Sequence, residues 1–95
     1  MKSYTLTTPA DLNETSFDDA IRKIPNADFY ILGCHEGNRH TAEIIKDRYK
    51  DTHGVEIELV VHDTHSAKYT WWISAFNNKG PPFLIASVHS NVAEQ

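Results

Sequence analysis

The chain has 95 residues, 40% of them hydrophobic, 23% charged and 11% aromatic, with a net charge of −4. That is enough for one domain (1–95) with a modest core. The absence of a basic stripe argues against nucleic acid, and no apolar run reaches the length of a membrane span. One cysteine cannot close an internal disulfide, and the first residues carry no apolar leader core, so a reducing, cytoplasmic setting is expected.

Residues 4–7 read as a weak strand ended by Pro9. Thr15 or Ser16 then offers an N-cap, with Asp18 and Asp19 favourable to the helix dipole in the first turn. Phe17, Ala20, Ile21 and Ile24 follow at helical spacing, and Pro25 stops the helix. Residues 28–33 read as a buried strand, Cys34 sits at its end, and a polar loop runs over residues 35–40. Ala42, Ile45 and Tyr49 space a second helix, which His53-Gly54 closes because glycine suits the left-handed position after a helix.

Residues 55–61 form the clearest strand, alternating at first and then wholly apolar. Tyr69, Trp72, Ile73 and Phe76 repeat the helical spacing, so a third helix is predicted, capped by Thr64 or Ser66 and ended by residues 77–80. Pro81-Pro82 forces an extended entry into a strand over 83–88. Residues 89–91 read as a turn, and Val92-Ala93 as the start of a very short further strand. The order is β-α-β-α-β-α-β, an α/β fold with a mixed four-stranded sheet flanked by helices. Strands 28–33 and 55–61 flank a helix and should be parallel, which brings Cys34 and the His62-Asp63-Thr64-His65 run to one rim.

Cys34 carries most of the expected chemistry. A thiol where a strand meets a helix lies near unpaired amides and the positive end of the dipole, which favours the exposed, reactive thiolate. His35 could stabilise that thiolate or act as its base, while Glu36 opposes it. Arg39 could contact an anion at the helix start. Cys34, His35 or His40 could join His62 and His65 on zinc, but no ligand pair has a familiar spacing, so no metal is expected. Trp72 lies on the apolar stripe and should be core. Trp71, about 100° around the helix, should be exposed and is a candidate binding residue.

The order of elements resembles the thioredoxin-like fold. Residues 16–21 occupy the place of that family's first helix, and residues 29–33 are similar to the strand entering its active loop. Val55–Val61 followed by His62-Asp63 resembles its next strand, and Gly80-Pro81-Pro82-Phe83-Leu84-Ile85 the segment with the cis-proline. The resemblance implies Cys34 as the attacking thiol and Pro82 as the cis-proline beside it. The family's Cys-x-x-Cys reads Cys34-His35-Glu36-Gly37 here, so a second thiol would have to come from glutathione or a partner. The family's final helix has no counterpart, which implies an open apolar face and a protein partner or homodimer. Cys34-His35-Glu36-Gly37-Asn38-Arg39 is also similar to the Cys-x-x-Gly-x-Arg loop of rhodanese-like sulfurtransferases, which implies an anion nest at Gly37, Asn38 and Arg39 around a persulfide.

Three functions follow as expectations. The first is a protein-binding or regulatory module of thioredoxin-like fold with residual monothiol reactivity at Cys34. The second is a monothiol enzyme exchanging disulfides or glutathione, and the third a rhodanese-like persulfide carrier.

Overall fold

Asn13, and not the expected Thr15 or Ser16, caps the first helix: its side-chain oxygen accepts from the Ser16 N–H at 2.9 Å, and the Asn13 N–H donates to Ser16 Oγ at 3.0 Å. This reciprocal capping box satisfies donors that a bare helix start leaves unpaired. The computed structural model describes residues 4–8, 11–24, 26–62, 70–77 and 83–90. Its elements are β1 (Tyr4–Thr8), α1 (Glu14–Arg22), β2 (Phe29–His35), a 3₁₀ turn (Glu36–Asn38), α2 (Arg39–His53), β3 (Ile57–His62), β4 (Trp71–Asn77) and β5 (Phe83–Ser90). Gly54 ends α2 at φ 67°, the left-handed value that favours glycine.

The strands form one mixed sheet in the order β1-β5-β4-β2-β3. Parallel pairing joins β2 to β3 across α2, as expected, and β1 to β5. Antiparallel pairing joins β4 to both β2 and β5. The predicted third helix is corrected here, because its residues 71–77 form β4. The segment carries two periods at once. Trp71, Ile73 and Ala75 alternate with Trp72, Ser74 and Phe76, and the first set is wholly buried. As a strand, the segment gains backbone hydrogen bonds on both edges and still buries Trp71 and Ile73 completely. Tryptophan, isoleucine and phenylalanine also suit a pleated surface.

The fourth predicted strand is longer than expected, since β5 runs through His89 and Ser90 instead of turning there. A register shift beside Ala75 and Phe76 places Ile85 between the partners of those residues. The predicted features at Pro9, Pro25, Thr64, Ser66, Pro81-Pro82 and Val92-Ala93 lie outside the described residues.

The described helices cover one face of the sheet. Tyr30, Leu32 and Cys34 on β2 face the same side as Ile57 on β3, Trp71, Ile73 and Ala75 on β4, and Ala86 and Val88 on β5; all are buried. Phe17 of α1 lies 4.9 Å edge-on from Tyr49 of α2 and 6.3 Å from Trp71 (ring centroids). It therefore joins both helices to the sheet, and full burial of such a ring contributes on the order of 1.5–3 kcal/mol. The Tyr49 hydroxyl also donates to Asp18, and Arg48 pairs with Glu14, both across the helix–helix contact.

Gly33 is a point of close approach on the second face. A Cβ built there would stand 2.1 Å from Trp72 Cε2 and 2.2 Å from Cζ2, so the indole lies directly over the glycine backbone. Gly33→Ala should destabilise the protein by about 1–3 kcal/mol through this overlap. In a Trp72→Ala background the same change should cost much less. Urea denaturation of the four proteins in the cycle measures the difference, and equal costs in both backgrounds would rule out the contact as the cause.

Candidate functional site

Alternation along β2 decides how the expected thiol site is built. Cys34 points to the helix-covered face between Val61 and Trp71, and 1% of its surface is exposed. His35, the next residue, belongs to the opposite face. The expected exposure of Cys34 is thus corrected, as is the role of His35 as its base. Burial pushes the Cys34 thiol up from its ordinary range. Arg39 acts the other way, and Glu36 and Glu43 add to the rise. The favourable dipole foreseen at this junction is outweighed because Cys34 sits inside the packed layer, and a full 3₁₀ turn separates β2 from α2. The sulfur is therefore a neutral, buried thiol near pH 7.

The rim beyond Cys34 is closed by hydrogen bonds. The Thr70 carbonyl accepts from the His35 N–H at 3.1 Å and from Asn38 Nδ2 at 3.3 Å. Ser90 Oγ, itself 1% exposed, accepts from the Thr70 N–H at 2.9 Å, the Thr70 hydroxyl at 3.0 Å and the Trp71 N–H at 3.3 Å. Asn38, expected in an anion nest, ties the loop to the start of β4. Arg39 forks onto Glu36 at 2.8 and 3.1 Å and lies 3.9 Å from Glu43. That hydrogen bond lowers the Glu36 carboxyl and keeps it charged, so a carboxylate already occupies the guanidinium. Gly37 is exposed, with no atom within 4 Å of where a Cβ would lie.

The two tryptophans exchange their expected places. Trp71 is fully buried, and Trp72 is half-buried on the second face. The exchange follows from the change of period: in a strand, Trp71 aligns with Ile73 and Ala75. Pro82 lies outside the described residues. Phe83, which follows it, pairs with Asn77 at the end of β4 remote from Cys34. Cys34 pairs with Trp71 at the other end.

The second face of the sheet gathers the remaining apolar side chains. Phe29 and Phe76 stack across β2 and β4 with centroids 5.1 Å apart and planes 5° from parallel. Ile31, Val60 and Trp72 are partly exposed on the same face, and Leu84 is 39% exposed. His35 and His62 are register partners on β2 and β3, and the His62 ring lies 5.9 Å from Trp72. His35 Nε2 is buried without a hydrogen-bond partner among the described residues. No described helix covers this face. It is an apolar and aromatic surface with histidines at one end and Glu58 on the edge strand β3.

Trp72, Phe76, Phe29 and His62 were not candidates from sequence as members of one surface. A legible signal was present in Gly33, since a glycine within a strand marks a close approach to its backbone. The alternation of Trp72, Ser74 and Phe76 was a second. Among the described residues no group of three or more histidine, cysteine or acidic side chains could hold a metal, and no helix is long and apolar enough to cross a membrane. No family model, curated protein or solved structure matches the chain.

Two outcomes follow for Cys34. Iodoacetamide should modify it at least tenfold more slowly in the native protein than in urea at the same neutral pH, as expected of a buried thiol. Equal rates would show an accessible sulfur. The raised thiol also sets a sign for alkaline stability. Its contribution is fully present below the unfolded thiol value of about 8.5 and is lost as pH rises through the folded value. Stability should thus fall less steeply above pH 8.5 in Cys34→Ala than in the parent, as read from denaturant midpoints across pH.

Proposed function

We propose that this chain is a protein-binding module of divergent thioredoxin-like architecture whose contact surface is the sheet face that no described helix covers. One observation carries the reading: both described helices pack on one face, while Phe29, Ile31, Trp72, Phe76 and Leu84 stand together on the other with part of their surface in water. Apolar patches of this kind mark interaction sites, and half-exposed aromatics are the usual anchors of interfaces. The architecture is supported by the parallel β2-α2-β3 unit followed by the antiparallel pair β4 and β5 within a mixed sheet.

The occupant that suits the face best is a second copy. The face has serines and histidines among its apolar groups and little fixed charge, so two copies can meet without like-charge repulsion. A two-fold arrangement would bury the same patch on both subunits. Five strands about 4.8 Å apart and some 7 residues long present on the order of 500 Å² per subunit. Twice that is near the lower limit of about 1,000 Å² for a biological contact, so the association should be weak and concentration-dependent.

Thiol exchange with glutathione and persulfide transfer draw less support. Both need a sulfur open to a substrate, and Cys34 is buried beneath a hydrogen-bonded rim.

Sedimentation over a wide concentration range tests the proposal. The parent should shift from monomer to dimer as concentration rises. Phe76→Glu, which places a charge in the stacked aromatic pair of the face, should stay monomeric with an unchanged circular dichroism spectrum. A parent that stays monomeric throughout, and retains no protein partner when immobilised, would overturn it.

A further inference from the structure

A concave feature lies in the helix-covered layer, at the opposite end from Cys34. The last turns of α1 and α2 and the start of β2 border an open cleft of about 410 Å³, within the size range of small-ligand sites. Ile21, Tyr30 and Val55 supply apolar wall, and the Tyr49 ring stands beside Asp18. The Tyr49 hydroxyl donates to Asp18 Oδ1 and fixes the carboxylate at the wall. Burial and that hydrogen bond push the Tyr49 phenol up, so the hydroxyl keeps its proton and remains the donor. A carboxylate offers about four acceptor positions, which leaves Asp18 room for a further donor from a ligand. The His53 ring lies 5.0 Å from Tyr49 and extends the aromatic wall.

The charge of the cleft decides what it can take. Asp18 is negative. The C-terminal ends of α1 and α2 both arrive here, each equivalent to roughly half a negative charge. Arg22 and Arg48 are the opposing groups, but the Arg22 guanidinium is bonded to Asp19 at 3.2 Å with its side chain 74% exposed, and Arg48 is paired with Glu14. The balance favours a cation and disfavours an anion. The aromatic walls favour a flat apolar body.

We infer that this cleft is a binding site for a small organic monocation of the arylalkylamine class. Its ammonium group donates to Asp18, and its ring lies against Tyr30, Tyr49 and His53. The site does not depend on the sheet face proposed above, because its residues belong to the helix-covered layer, so either can fail alone.

The test uses the full chain, labelled with ¹⁵N, and three probes of similar size: phenethylammonium, 2-phenylethanol and 3-phenylpropionate. Chemical-shift changes should centre on the cleft, with the cation bound about tenfold more tightly than the alcohol and the carboxylate more weakly than either. Asp18→Asn should remove that preference and leave the alcohol unchanged. Arg22→Gln should strengthen cation binding a few-fold, which provides a second measure should Asp18→Asn fail to fold. Equal binding of cation and alcohol, preference for the carboxylate, or no response of cation affinity to either substitution would overturn the inference.

Discussion

Hydrogen bonds from β4 to β2 on one edge and to β5 on the other hold Trp71 beside Cys34 and Trp72 over Gly33. Most of the remaining arrangement depends on this insertion. It turns Trp71, Ile73 and Ala75 into the centre of the core, where Phe17 brings the two helices together. It also brings Thr70 to the end of β2, where Asn38 and Ser90 close the rim. Backbone pairing comes with a strict alternation of side chains, so one choice of pairing assigns every residue of β4 to a face.

The same alternation separates groups that look adjacent along the chain. Cys34 and His35 are neighbours in sequence and lie on opposite faces. The thiol is among apolar side chains, while the imidazole stands near the histidine and tryptophan of the second face. Burial outweighs the attraction of Arg39 at the thiol, and Arg39 is itself held by Glu36 and Glu43. In the turn after Cys34 the one guanidinium is held between two carboxylates.

The two surfaces proposed for recognition differ in chemistry. The sheet face that no described helix covers is apolar and aromatic and carries little charge. The cleft at the helix ends is small and polar on one side, where Asp18 and Arg22 line it beside two helix C-termini. They occupy opposite sides of the sheet. Polar groups converge in the cleft because the same end of both helices reaches the start of β2.

Local physics, legible in the sequence, accounts for α1, α2, β2, β3 and the parallel relation of the two strands. Phe17 and Ala20 mark one helical face, Gly54 a helix end, and residues 55–61 an extended run. The sequence also determined that Cys34 and His62 would end on one edge, because a helix between parallel strands leaves no other choice. It did not determine the state of residues 71–77, where helical and alternating periods coexist in Trp-Trp-Ile-Ser-Ala-Phe-Asn. Local preference there is nearly balanced, and the partners that break the tie, β2 and β5, are distant in the chain. From that one pairing came the exchange of Trp71 and Trp72, the burial of Cys34 and the assembly of the open face. The cleft likewise exists only in three dimensions, since Asp18, Tyr30, Tyr49 and His53 meet when both helices settle on the same side of the sheet.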